Sequence, residues 1–252
     1  MSRIGFIGTG HIAAPMVRFL AARGHEVTVS ERNAEVAAEL AASHGVGIAG
    51  NQAVLDGAEI VFLCLRPQVA AEALAPLRFA AGQRIVSVMA GVPLATLARL
   101  CAPATEIVAT IPLGFLEKGG CPLAACPEAG ILETLFAPEN PIVPVADEAA
   151  LNAHFAICAM VPGLLDLMNT GAAWLGRQTG DAARAEFYTT GLVSGFLAAM
   201  ETGPGGLARA RDALATNGTL SLQMTEGLHD GGAHDALRAT LEAIGARLTP
   251  QD

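Results

Sequence analysis

The chain has 252 residues, 52% of them apolar and only 15% charged, with a net charge of −9. That length and apolar share exclude a disordered chain and allow a real core in one large or two small domains. The acidic balance disfavours polyanionic partners, so no nucleic-acid partner is expected, although a nucleotide can still be held locally.

The first elements carry the strongest signal. The apolar run over 4–7 reads as a buried strand, and Gly8-x-Gly10-x-x-Ala13 then turns into a helix beginning near His11. Gly8 permits a backbone angle that a side chain resists, Gly10 lets a pyrophosphate approach the main chain, and Ala13 still allows close helix–strand packing. Free amides and the positive dipole end at such a helix start favour phosphate, which makes Gly8, Thr9, Gly10, His11 and Ile12 candidate cofactor contacts. The helix covers 12–23, with Pro15 in its first turn, where a missing amide does no harm, and it stops at Gly24.

A second strand over 26–30 ends in Ser30-Glu31-Arg32-Asn33, and Glu31 follows Gly10 by 21 residues, the acid position of a dinucleotide site. The two charged residues point to different cofactors. Glu31 suits the free ribose diol of NAD, whereas Arg32 with Ser30 and Asn33 suits the 2′-phosphate of NADP; NADP is the expected cofactor and NAD the alternative.

A helix over 34–44, a short strand over 47–48 and a short helix over 53–57 follow, then a buried strand over 60–65 closed by Arg66-Pro67. A helix over 68–77, a strand over 85–89 ending in Ala90-Gly91-Val92-Pro93, a helix over 94–101 and a strand over 106–111 ending at Pro112 complete the alternation. Stretches 123–125 and 142–145 can add edge strands. This order predicts an α/β fold whose N-terminal domain, 1–146, is a Rossmann-type doubly wound parallel sheet. Ligands gather at the carboxyl ends of such strands, which adds Leu65, Arg66, Pro67, Ala90 and Gly91 to the cofactor candidates and Pro112 and Leu113 to those for substrate. From Asp147 only helical periodicity remains, with Asp181 as an expected N-cap and Gly203-Pro204-Gly205-Gly206 as a break. The second domain, 147–252, is therefore a smaller all-α domain for substrate and dimerisation.

The five cysteines (Cys64, Cys101, Cys121, Cys126, Cys158) show no metal-type pairing and read as free thiols in a reducing cytoplasm, with no metal site. The apolar stretch 153–168 contains His154, Pro162 and Asp166, so no membrane span is expected.

Taken together, these residues resemble the pyrroline-5-carboxylate reductase family, which reduces a cyclic imine to proline with a nicotinamide cofactor in proline biosynthesis. The opening Ile4-Gly-Phe-Ile-Gly-Thr-Gly-His-Ile-Ala-Ala, the strand end Val29-Ser-Glu-Arg-Asn33, Leu65-Arg66-Pro67 and Ser87-Val-Met-Ala-Gly-Val92 look like its cofactor half. Asp212-Ala-Leu-Ala-Thr-Asn-Gly-Thr-Leu-Ser221 is similar to its glycine- and threonine-rich substrate stretch, and Gly231-Gly232 follows at the family's distance. The substrate half departs from the pattern. Asn217 stands for proline, Thr219 for the second glycine and Leu220 for the first threonine, while Leu113 stands where the family has asparagine.

The resemblance implies hydride transfer to a small imine, with Ser221 as the catalytic hydroxyl near the imine nitrogen and Asn217, Gly218 and Thr219 meeting the substrate. It also implies a homodimer or higher homo-oligomer. Ser221 and Thr219 have a second reading as caps of the helix starting at Leu220. Tyr188 is a fallback proton source, although a lone helical tyrosine is more often core. Two alternatives differ in class. A hydroxy-acid dehydrogenase of the Rossmann-plus-helical type needs a helical-domain lysine, and none occurs after Lys118; His154 would have to substitute. A non-catalytic NADP-binding sensor or scaffold fits the altered substrate stretch.

Overall fold

The structure, a computed structural model, describes residues 1–249. From the N-terminus the chain alternates β1 (Arg3–Ile7), α1 (Ala13–Ala22), β2 (Glu26–Ser30), α2 (Ala34–His44), β3 (Gly47–Ala49), α3 (Asn51–Gly57) and β4 (Ile60–Leu63). It continues with α4 (Pro67–Leu74), β5 (Arg84–Ser87), α5 (Leu94–Leu100) and β6 (Glu106–Thr110). A short 3-10 helix, Gly114–Lys118, leads into β7 (Leu123–Cys126), α6 (Gly130–Phe136) and β8 (Ile142–Pro144). The helices α7 (Glu148–Cys158), α8 (Met160–Thr179), α9 (Ala182–Ala199), α10 (Gly206–Leu214), α11 (Leu220–Asp230) and α12 (Ala233–Leu248) complete the described chain.

The strands form one sheet in the order β3-β2-β1-β4-β5-β6-β7-β8. From β3 to β6 it is parallel; β7 runs antiparallel to β6, with Ala109 opposite Cys126, and β8 is parallel to β7. The expected doubly wound sheet with two added edge strands is thus present. The order reverses between β1 and β4, the switch point where a crevice opens at the carboxyl edge.

Strand periodicity distributes the core over both faces. Ile4 and Phe6 of β1 enter one apolar layer and Ile7 the other; Ile60 and Phe62 of β4 oppose Val61 and Leu63 in the same way. The Phe6 and Phe62 rings stack at 4.6 Å between centroids, and Phe136 of α6 meets Phe62 edge-on at 6.2 Å. On the surface, Arg18 of α1 holds Glu39 of α2 at 2.9 Å and Glu117 of the 3-10 helix at 3.2 Å. Partial burial works against its charge, yet the two carboxylates raise its affinity for the proton overall.

Two strands stop earlier than the apolar runs suggest. β4 ends at Leu63 because its neighbour β1 ends at Ile7, so Cys64 makes one last bond, N–H to Ile7 O at 2.9 Å, and Leu65 leaves the sheet. β5 ends at Ser87, whose hydroxyl accepts the Met89 N–H at 3.3 Å. The 3-10 helix and α6 lie outside the elements expected from the sequence.

The chain divides into two compact units. One is Met1–Phe155 with 247–249, and the other is Ala156–Ala246. The second contains no strand among the described residues. Asp181 caps α9 as expected, its Oδ1 accepting the Arg184 N–H at 3.0 Å. Much of this unit's apolar surface is uncovered in the single chain: Leu165 and Trp174 of α8 and Leu192 of α9 are exposed, and Phe187 is 81% exposed. Tyr188 is exposed as well, not a core residue. By length and composition only, Glu148–Thr179 is apolar enough to cross a membrane, whereas the sequence reading of 153–168 expects no span.

Candidate functional site

The turn after β1 is fixed from below. Gly8 has φ +96°, and a Cβ there would lie 2.4 Å from the Cys64 carbonyl oxygen, so only glycine fits. Its N–H donates to the Ser30 hydroxyl at 2.9 Å, and the Thr9 hydroxyl donates to the Ser30 carbonyl at 2.8 Å. Ser30 is fully buried by these contacts. This corrects the expectation that Ser30 helps hold a 2′-phosphate, because its hydroxyl faces the underside of the turn.

Above the turn there is room. A Cβ on Gly10 would meet nothing within 4 Å, so a ligand can reach the main chain. The first backbone bond of α1 is Ala14 N–H to Gly10 O at 3.0 Å; the amides of Gly10, His11 and Ile12 make no hydrogen bond among the described residues. His11 and Ile12 are exposed, and no acidic residue occupies the first turn of α1. Such a helix start presents donors and a positive dipole end to an anion.

A cavity of about 440 Å³ opens beside this turn. Gly8, Thr9 and Gly10 line it together with Arg32 and Asn33 after β2 and Leu65 and Arg66 after β4. Ala34, Cys64 and Val69 line it too and were missed from sequence. The run over 60–65 hid the point where the sheet ends, which is the signal that would have found Cys64. Glu31 does not line this cavity; its Oε1 lies toward β3, 3.8 Å from where a Cβ of Gly50 would stand. Two arginines, open amides and a bare glycine suit an anionic dinucleotide.

The remaining candidates lie elsewhere. Pro67 is the first residue of α4, where its missing amide costs nothing. Ala90 and Gly91 form the turn after β5. Gly91 has φ +70°, and a Cβ there would stand 3.5 Å from Leu248, whose carbonyl accepts from Asn152 Nδ2 at 3.2 Å. Pro112 is buried and Leu113 packs against the core, so neither offers a polar group.

In the helical unit, Asn217 and Gly218 (φ +80°) turn the chain into α11. The Thr219 hydroxyl accepts the Leu222 N–H at 3.1 Å and donates to the Thr216 carbonyl at 2.7 Å. Thr219 is thus the cap, and its oxygen is already used. Ser221 is exposed in the first turn, and its hydroxyl makes no hydrogen bond among the described residues. Of the two residues weighed as caps, only Ser221 is left with a free hydroxyl. His154 bonds the Ala150 carbonyl in its own helix at 2.8 Å.

Cys64, Cys101, Cys121 and Cys126 are free thiols. Burial pushes the Cys101 thiol up to about 12 and raises those of Cys64, Cys121 and Cys126, so these four are weak nucleophiles. No group of three or more metal-ligating side chains occurs among the described residues.

Comparison with known proteins agrees with this architecture. Residues 3–91 match the family described as NADP oxidoreductase, coenzyme F420-dependent. No curated protein matches the sequence. Among solved structures, a 1-pyrroline-5-carboxylate reductase from Streptococcus pyogenes is similar at a TM-score of 0.83 and 20% identity, covering 98% of each chain. A Plasmodium falciparum pyrroline carboxylate reductase with NADP bound gives a TM-score of 0.84 at 12% identity, covering 98% of this chain and 97% of that one. A reductive aminase from Aspergillus terreus, in complex with NADPH and ethyl-5-oxohexanoate, gives 0.64 at 21% identity, covering 98% of this chain and 92% of that one. Over nearly its whole length, then, the chain has the fold of the pyrroline-5-carboxylate reductases.

Proposed function

We propose that this chain is an NADPH-dependent oxidoreductase that reduces the C=N bond of a small imine. The observation that carries the reading is the cavity at the β1/β4 switch point, lined by Arg32 and not by Glu31. A guanidinium suits a 2′-phosphate, whereas a carboxylate there would repel it. Support also comes from the neighbours in fold, which include a pyrroline carboxylate reductase solved with NADP and a reductive aminase solved with NADPH.

In this reading the amides of Gly10, His11 and Ile12 hold the pyrophosphate, Arg32 and Asn33 the 2′-phosphate, and Leu65 and Arg66 the wall beside them. Ala90 and Gly91 continue the cradle along the sheet edge. NADPH, when bound, supplies hydride from the nicotinamide C4. In this reading the exposed Ser221 hydroxyl, which makes no hydrogen bond among the described residues, holds a proton near the imine nitrogen. Residues 1–146 serve the cofactor and 147–252 the substrate and a second subunit. The exposed apolar faces of α8 and α9 fit a homodimer better than a lone chain, and the free thiols of Cys64, Cys101, Cys121 and Cys126 fit a reducing cytoplasm.

Two measurements test the proposal. Binding is followed by fluorescence on titrating NADPH and NADH, and turnover by NADPH consumption with a panel of cyclic and acyclic imines. Tight NADPH binding with consumption on one imine class is the expected result; absence of dinucleotide binding overturns it. Binding without turnover on any imine favours the second reading, a cofactor-binding sensor, which the engagement of Thr219 as a cap supports.

A further inference from the structure

Ser30 is buried, cannot touch a ligand, and yet joins the two halves of the candidate cofactor site. It accepts the Gly8 N–H through its side chain and the Thr9 hydroxyl through its carbonyl. The two hydroxyls lie 3.4 Å apart. Because Thr9 spends its only hydroxyl proton on the Ser30 carbonyl, the Ser30 hydroxyl proton is the one free to point at Thr9 Oγ1. The result is a closed ring of polar contacts, sealed from water, that links the end of β2 to the turn after β1.

Two consequences follow from where this ring sits. The Gly8 amide is held inward, so the turn cannot rotate that N–H outward at the expense of the amides above α1. Arg32 stands two residues beyond Ser30 and lines the same cavity as Gly8, Thr9 and Gly10. A single buried hydroxyl therefore sets both the pose of the pyrophosphate turn and its spacing from the arginine.

We propose that Ser30 is a positioning residue for NADPH: it presents the glycine turn and registers Arg32 against it. This rests on the dinucleotide reading given above. Loss of the hydroxyl leaves the buried Gly8 N–H without a partner, so the turn shifts to satisfy it. Both dinucleotides then bind more weakly, and NADPH loses more than NADH because the arginine moves out of register.

The test uses the full chain with Ser30→Ala, Thr9→Val and the double variant. Dissociation constants for NADPH and NADH are measured at a temperature where circular dichroism shows each variant folded. Ser30→Ala is expected to weaken NADPH about tenfold, equivalent to about 1.4 kcal/mol, and NADH by less. Its loss should fall on the KM for NADPH more than on kcat. The double variant should cost little more than either single one, because the groups act as one unit. Ser30→Thr, which keeps the hydroxyl, should recover most of the affinity.

A wild-type chain that binds NADPH, with a folded Ser30→Ala that binds it equally well, overturns the positioning role and leaves the cofactor reading intact. Additive losses in the double variant, or equal losses for both dinucleotides, also overturn it. Should Ser30→Ala fail to fold, Ser30→Cys, which keeps the size of the side chain but is a poorer acceptor for the Gly8 N–H, carries the same comparison. A wild type that binds neither dinucleotide removes the cofactor reading and this inference together.

Discussion

Glu31 and Arg32 are neighbours in the chain, but only Arg32 lines the cavity beside Gly8 and Gly10; Glu31 Oε1 lies over toward Gly50. Sequence alone left these two residues pulling toward different cofactors. Their separation favours NADPH, and it gives a selective test. Replacing Arg32 with alanine should weaken NADPH by about tenfold to a hundredfold, the range of charge-assisted hydrogen bonds, while NADH changes little. Equal losses for the two dinucleotides would remove Arg32 from the 2′-phosphate.

Gly8→Ala should be more damaging than its size suggests. The added methyl would meet the Cys64 carbonyl oxygen at 2.4 Å, and φ +96° is unfavourable for any side chain. That oxygen is main chain at the end of β4, so relief requires either β4 or the turn to move. A stability loss of about 2 kcal/mol or more is expected, with dinucleotide binding lost in the molecules that remain folded. Thermal melting and fluorescence titration read the two effects separately. Gly10→Ala is the contrast: a methyl there meets no protein atom, so stability should hold while binding falls. A destabilised Gly10→Ala chain with normal affinity would contradict this account.

Much of this is legible in the sequence, and what is not has physical causes. The Gly8-x-Gly10 turn and the Asp181 cap were legible because each depends on local chemistry, a backbone angle or a carboxylate facing free amides. Ser30 was misread because β2 is covered on both faces, so alternation does not tell a hydroxyl aimed at ligand from one aimed beneath a turn. Cys64 was missed because the length of a strand depends on its neighbour: β4 can pair only as far as β1 reaches. The exposure of Phe187 and Tyr188 was hidden for a related reason. Helical periodicity reveals an apolar face, but not whether this chain or a second copy covers it.

That exposed face leads to a prediction about assembly. A chain carrying Trp174, Phe187 and Leu192 at its surface should sediment as a homodimer or larger at micromolar concentration. Phe187→Asp with Leu192→Asp should shift it toward monomer without unfolding the first unit. A wild-type monomer at that concentration would argue against a second subunit over α8 and α9.

The buried thiols predict the alkaline limit of stability. Cys101 has an ordinary value of 9.0, pushed up to about 12 by burial, so the folded chain keeps its proton where the unfolded chain has lost it. Its contribution is complete below pH 9 and is lost as the pH rises from 9 toward 12, with a slope of at most about 1.4 kcal/mol per pH unit. Cys64 acts in the same direction. Urea unfolding at a series of alkaline pH values should show this decline, and Cys101→Ala, although less stable throughout, should show a flatter one. An unchanged slope would mean that the thiol does not couple to folding.

The last prediction concerns the substrate, and it is that pyrroline-5-carboxylate should be turned over poorly. The resembled family offers backbone amides of a glycine-rich stretch to the substrate carboxylate, with a threonine beside them. Here Thr219 adds a side chain where a glycine stood, and its hydroxyl is committed to the Leu222 N–H and the Thr216 carbonyl. Leu220 replaces a hydroxyl with an apolar side chain that is 84% exposed in the single chain. Leu113, where the family has asparagine, packs against the core and presents no amide. Each change removes a hydrogen bond to a charged group, worth about 1.5–3 kcal/mol, or obstructs the approach that forms it. Two such losses lower kcat/KM by about a hundredfold or more. An uncharged, larger cyclic imine avoids the penalty, because it asks nothing of the missing donors and gains from the apolar side chains, while Ser221 remains free for its nitrogen. The measurement is kcat/KM for pyrroline-5-carboxylate beside that for uncharged cyclic imines, and the variant pair Thr219→Gly and Leu220→Thr should raise the first relative to the second. Turnover of pyrroline-5-carboxylate by the wild-type chain at the efficiency of an ordinary metabolic enzyme would show that the remaining amides of 217–221 suffice for the carboxylate.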